Sequence, residues 1–159
     1  MEPQKTVRPK ASRIIGIDYG VARFGIAISD ETKIIAMPLM TITAESKSEK
    51  TAVKILAQLK AASDLNKYDI AEIVIGLPLM MSGKFGMQAD DVTHFVNLLK
   101  TMTNIPIFTW DERLTTVQAE KSMREGNMSR KKRSKVVDKV AAVIILQSYL
   151  DSKVFSNFL

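Results

Sequence analysis

The chain has 159 residues, 46% of them hydrophobic and 25% charged, which suits one globular domain of common size with room for a real core. Twenty-three Lys and Arg against 17 Asp and Glu leave a formal charge of +6, a balance that favours polyanionic partners. There is no Cys and a single histidine, His94, so disulfides, zinc–thiolate sites, thiol nucleophiles and multi-histidine metal sites are excluded, and histidine triads are disfavoured.

Residues 1–12 carry Lys5, Arg8 and Lys10 without an apolar segment, so they read as a disordered basic arm rather than a signal peptide. No apolar run approaches the ~20 residues of a membrane span, and the chain is expected to be cytoplasmic. Arg13–Tyr19 is rich in β-branched residues and predicts a strand, closed by a turn at Gly20. Val21–Ser29 predicts a second strand with Ala22, Phe24, Ile26 and Ile28 on one face and Arg23, Gly25, Ala27 and Ser29 on the other. Lys33–Ile42 is a weaker third strand, and Pro38 within it marks a sheet edge. Three successive strands with short connections predict an antiparallel meander.

Helical spacing follows over Ser46–Ala62. Ile70–Ile75 then predicts a short buried strand, ended by Gly76-Leu77-Pro78. Ser82–Gly86 reads as a loop; its Ser-Gly-Lys lacks the glycine spacing of a phosphate-binding P-loop. Gln88–Met102 predicts an amphipathic helix with Val92, Phe95, Val96 and Leu99 inward, and His94 as a surface or packing residue. Ile105–Asp111 predicts the last strand. Helices are expected over Leu114–Glu125 and Lys135–Leu150, with the basic run Arg130-Lys131-Lys132-Arg133 in the loop between them. The nine Met read as core filler, and Trp110 as a core residue with base stacking as its alternative. The order is that of a layered α/β sheet, mixed because a meander precedes helix crossovers. Residues 13–152 are expected to form one domain, with 153–159 as a C-terminal tail.

Four acids stand at the ends of these apolar elements: Asp18, the pair Asp111-Glu112, and Asp138. Burying a carboxylate is costly unless a cation or hydrogen bonds offset it. Three such ends converging on one sheet edge would form a hard-cation site, and Mg²⁺ takes oxygen ligands and works on phosphates. Each acid has a plainer reading. Asp18 can start the turn before Gly20. Asp111 or Glu112 can favour the start of the next helix, and Asp138 can gain from a helix dipole. Ala141 and Ala142, three and four residues after Asp138, would let that helix approach the sheet closely.

The cations around these acids point to phosphate. Arg113 can pair with its neighbours or clamp a phosphate through two hydrogen bonds. Thr115 with Gln118 fits a capping box, and a helix start also suits a phosphate. Arg23 lies on the small-residue face of its strand, where Gly25 and Ala27 leave room for a ligand. The run Arg130–Arg133 is either a solvated loop or a hold on a nucleic-acid backbone.

Four blocks of sequence resemble one family. They are Ile15-Gly16-Ile17-Asp18-Tyr19-Gly20-Val21-Ala22-Arg23-Phe24-Gly25-Ile26-Ala27, Val74-Ile75-Gly76-Leu77-Pro78, Asp111-Glu112-Arg113-Leu114-Thr115-Thr116, and Asp138-Lys139-Val140-Ala141-Ala142-Val143-Ile144-Ile145-Leu146. In this order and spacing, over about Arg13 to Leu150, they resemble the YqgF family, also described as RuvX-like and as Holliday junction resolvases. The resemblance implies a ribonuclease H-like fold, with a five-stranded mixed sheet flanked by helices. It implies a Mg²⁺- or Mn²⁺-dependent phosphodiesterase with Asp18, Glu112 and Asp138 as ligands, Asp111 standing in reserve. It implies action on the 5′ end of 16S rRNA precursors, with ribosomal particles as partners, or, by fold analogy, on branched DNA. The strand before Gly76 lacks the glutamate that resolvases carry there, so the acid must come from the neighbouring strand.

Other readings are a non-catalytic nucleic-acid-binding factor on the same fold and a sugar-kinase or actin-like ATPase, whose first phosphate loop also reads Gly-Ile-Asp-x-Gly. The latter needs two such domains around a nucleotide. Both monomer and homodimer are compatible with the sequence.

Overall fold

The computed structural model describes residues 9–78, 82–83, 86–112 and 130–156; over 130–139 and at 155 it describes the backbone alone. The strands are β1 (Ala11–Asp18), β2 (Arg23–Ser29), β3 (Ala36–Thr43), β4 (Tyr68–Leu77) and β5 (Ile107–Asp111). The helices are α1 (Ser48–Asn66), α2 (Met87–Met102) and α3 (Arg130–Ser156). They build one five-stranded sheet in the order β3-β2-β1-β4-β5. β1 and β3 pair with β2 antiparallel, while β4 pairs parallel with both β1 and β5. The expected meander followed by parallel strands is thus the fold observed. Short turns permit only antiparallel neighbours, whereas the parallel pairs need helical crossovers.

Helices cover both faces, which explains why β1 and β4 are continuously apolar rather than alternating. On one face Ile15, Ile17, Ile73 and Ile75 pack with Phe24, α1 (Ala52, Ile55, Leu59) and α2 (Val92, Phe95, Leu99). On the other, Ile14, Ala27 and Val74 pack with Ala142, Ile145, Leu146, Tyr149 and Leu150 of α3. Trp110 is half-buried against this second cluster, and its indole N–H donates to Ser148 Oγ at 3.0 Å.

Gln147 anchors α3 to the turn before β3. Its side-chain oxygen accepts from the Ala36 N–H and its nitrogen donates to the Ile34 carbonyl, both at 2.8 Å. The same turn is tied by Asp30, whose carboxylate accepts from Thr32 Oγ1 and from the N–H groups of Ile34 and Ile35. These bonds, Thr32 first, hold its pKa down at about 2.

Several boundaries differ from expectation. β4 is longer at both ends than Ile70–Ile75, because pairing with β1 reaches Tyr68 and pairing with β5 reaches Leu77. β5 begins at Ile107 rather than Ile105. α1 is displaced towards its C-terminus and stops where Lys67 turns left-handed at φ 56°, its N–H returning to the Ser63 carbonyl. The basic run Arg130–Arg133 is the start of α3 rather than a loop. Arg and Lys are good helix formers, and a polar run hides that preference from an apolar-periodicity reading. The methionines were expected in the core, yet Met37, Met40, Met87 and Met102 are half-buried or exposed, since Ile and Leu fill the interior. His94 lies exposed on α2. The helix expected over Leu114–Glu125 and the arm at 1–8 lie outside the described residues. Among the described residues no helix is long and apolar enough to cross a membrane.

Candidate active site

Three parallel strands end together at one edge of the sheet. Asp18 is the last residue of β1, while Leu77 ends β4 and pairs with Asp111 at the end of β5. Alternation along each strand sorts their side chains by face. Asp18 shares the face of Ile14, which packs under α3. Its antiparallel partner is Gly25, which puts no side chain directly opposite it on β2.

Glu112 follows β5, and its N–H donates to the Leu77 carbonyl at 3.3 Å. Its carboxyl then folds back over β4. A Cβ at Gly76 would collide with Glu112 Oε2 on one side and meet Ile145 Cδ1 at 2.6 Å on the other. The absent side chain is therefore what admits the carboxylate. An isolated glycine within a run of β-branched residues is the sequence signal of such a close approach. That signal is present in Val74-Ile75-Gly76, but Gly76-Leu77-Pro78 also reads as turn punctuation.

Glu112 is partly withdrawn from water. Burial, and then the neighbouring Asp111 charge, push its pKa above the ordinary carboxylate value. Asp111 itself is exposed and alternates to the opposite face of β5, away from Phe108 and Trp110, whose rings meet Tyr149 of α3.

α3 approaches β1 at a second glycine. A Cβ at Gly16 would lie 2.7 Å from Leu146 Cβ and 3.3 Å from the Ala142 carbonyl oxygen. α3 runs against the parallel strands: Ile145 lies over Gly76, and one turn later the Tyr149 hydroxyl donates to Glu72 at 3.1 Å. Position 138 is one turn before Ala142, a rise of ~6 Å. Asp18 is two residues beyond Gly16, ~6.6 Å along the strand. The backbone at 138 thus extends towards the edge where Asp18 stands.

The Asp138 side chain is outside the description, as are those of Arg130, Lys131, Lys132 and Arg133. Arg113 and Thr115 lie outside the described residues. Arg23 opens β2, half-buried, two residues from the partner of Asp18 and on the same face. Among the described residues no group of three or more acidic, histidine or cysteine side chains is close enough to hold a metal. Among the described residues at this strand edge, Asp18 and Glu112 share a face, while Glu72 lies on the same face further down β4 under Tyr149.

The geometry can be set beside known proteins. Residues 12–152 match the model of the RuvX family, described as Holliday junction resolvase. A protein of Protochlamydia amoebophila named "Putative pre-16S rRNA nuclease" is 62% identical over 146 residues, 92% of this chain and 97% of its own. One of the same name from Clostridium acetobutylicum is 46% identical over 140 residues, 88% of this chain and 98% of its own. In fold, the chain is similar to T. thermophilus RuvC in complex with Holliday junction substrate, at a TM-score of 0.51 and 13% identity, covering 89% of this chain and 96% of that one. With the match spanning the strand ends, both glycine approaches and α3, the chain belongs to the RuvX family of nucleases.

Proposed function

We propose that this chain is a divalent-metal-dependent endonuclease that hydrolyses phosphodiester bonds in structured RNA, at the 5′ end of pre-16S rRNA. The observation that carries the reading is the Glu112 carboxyl seated over Gly76, on the sheet face that Asp18 shares. The donor set fits a hard cation, since Asp18, Glu112 and Asp138 offer oxygen alone. A carboxyl driven towards protonation by burial and by Asp111 is relieved by a positive charge beside it. Mg²⁺ or Mn²⁺ held there supplies Lewis acidity to the phosphate and a more acidic water. Asp111 stays in reserve as a ligand.

The protein's own groups do the rest. Gly25 beside Asp18 leaves room for a nucleic-acid backbone to approach. Arg23 holds a phosphate on the same face. Arg113, Thr115 and the run Arg130, Lys131, Lys132 and Arg133 hold flanking phosphates, so binding should weaken steeply with salt. The domain runs from β1 at Ala11 to the end of α3 at Ser156, so 153–156 continue the helix rather than forming the expected tail, and it works in the cytoplasm on precursor rRNA or ribosomal particles as monomer or homodimer. The relatives' name favours RNA. The family description favours branched DNA as a second reading.

The test is cleavage of precursor rRNA and a four-way DNA junction side by side, with Mg²⁺ or Mn²⁺ and with Asp138→Asn as control. Precursor cutting that the control lacks is expected. Cutting of the junction alone would transfer the assignment to the second reading, and equal cutting by Asp138→Asn would remove Asp138 from the mechanism.

A further inference from the structure

We propose that a small recess beside the carboxylates binds one unstacked guanine of the strand being cut. Its position next to the cleavage site rests on the nuclease reading above; its preference for guanine does not. The recess has a volume of about 150 Å³ and lies where β1, β4 and α2 meet. Glu112 forms one wall, so the recess and the candidate active site share a residue. Pockets for drug-sized ligands run to about 300–1,000 Å³, so this one suits a single ring system.

Its walls divide by chemistry. Tyr19, Val21 and Pro78 are the apolar side, Gln88 and Asp91 the polar side. Tyr19 follows Asp18 but alternates to the opposite face, so the two residues flank one strand end. Its ring is braced edge-on by Phe24 at 4.9 Å and Phe95 at 5.5 Å, giving a rigid aromatic surface at the recess. Burial and the Asp91 charge both raise the Tyr19 hydroxyl pKa, in keeping with an Asp91 carboxylate close to that ring. Val21 is 88% exposed, an apolar side chain with no partner in the core.

Single-stranded bases are read by stacking on aromatic rings and by hydrogen bonds to their Watson–Crick edge. An ionised carboxylate only accepts. Guanine alone presents two adjacent donors on that edge, N1–H and the 2-amino group, which match the two oxygens of Asp91. Adenine and cytosine offer one donor beside an acceptor, and uracil a donor between two carbonyls; each sets a lone pair against the carboxylate. Gln88 both donates and accepts, and so can serve the guanine O6. A nucleotide whose phosphate lies at Asp18 and Glu112 would have its base within reach of this recess.

The full chain, titrated with GMP, IMP, AMP, CMP and UMP and followed by NMR, tests this without cleavage. The Gln88 side-chain amide and the Asp91 N–H should shift with GMP, at an affinity about tenfold above IMP, which lacks the 2-amino donor. Asp91→Asn, an exposed substitution, should abolish that preference. Shifts of equal size with all five nucleotides would report the phosphate alone and overturn the proposal, as would a preference that survives Asp91→Asn. Asp18→Asn should lose cleavage yet keep the GMP preference. A chain that prefers GMP but cuts nothing would sink the nuclease reading and leave the recess standing; one that cuts without regard to the flanking base would do the reverse.

Discussion

The two faces of the sheet are packed by different kinds of residue. Under α1 and α2 the contacts are large: Ile15, Ile17, Ile73 and Ile75 meet Phe24, Phe95 and Leu99. Under α3 the strands interleave Gly16, Ala27 and Gly76 with Ile14 and Val74, and the helix answers with Ala142 among Ile145, Leu146 and Leu150. Large side chains keep layers apart and bury much apolar area. Small ones bring a helix backbone close and leave polar groups room at the edge. One face is therefore specialised for stability, the other for placing carboxylates, and substitutions should separate the two roles.

The largest effect on folding is expected on the first face. Phe95 is 1% exposed and central to the aromatic trio with Tyr19 and Phe24. Phe95→Ala should cost about 3–5 kcal/mol in denaturant unfolding. A loss below 1 kcal/mol would mean that this face does not carry the stability assigned to it.

Gly76→Ala tests the second face. The added methyl collides with the Glu112 carboxyl and crowds Ile145. Overpacking of this kind costs ~1–3 kcal/mol. Displacing a reacting group by an ångström can cost on the order of 10²-fold in rate, and cleavage should fall by that much. Unchanged cleavage would show that Glu112 need not sit over β4.

The smallest effect is a pH dependence. Without a divalent cation, the raised Glu112 pKa means that the native state holds this proton more tightly than the unfolded chain. The resulting stabilisation is fully present below the ordinary value of 4.5 and is lost as pH rises through the raised native value. In chelator, wild-type Tm should therefore fall relative to Glu112→Gln as pH rises above 4.5, and Mg²⁺ should cancel the difference at neutral pH. Parallel curves for the two proteins would remove the argument from burial.

Much of the fold was legible because apolar runs, turn residues and a strand-interrupting Pro38 are local signals. β3 is indeed an edge strand, with Pro38 opposite Ala27 at an irregularity in the pairing. The start of α3 was not legible, because four consecutive basic residues carry no apolar period although each favours a helix. The recess was missed for another reason. Gln88 and Asp91 share α2 at i, i+3 spacing, but Tyr19 follows β1, and no spacing in the chain signals that the two places meet.

By itself, the chain determined its strands and helices, the mixed order of the sheet and the acids that close its elements. These follow from side-chain periodicity and backbone preference, which act between near neighbours. Only the tertiary structure decided that Glu112, rather than Asp111, lies on the face of Asp18. That outcome depends on strand parity at the end of β5 and on the space left by one missing side chain on β4, and both are set only when the strands pair.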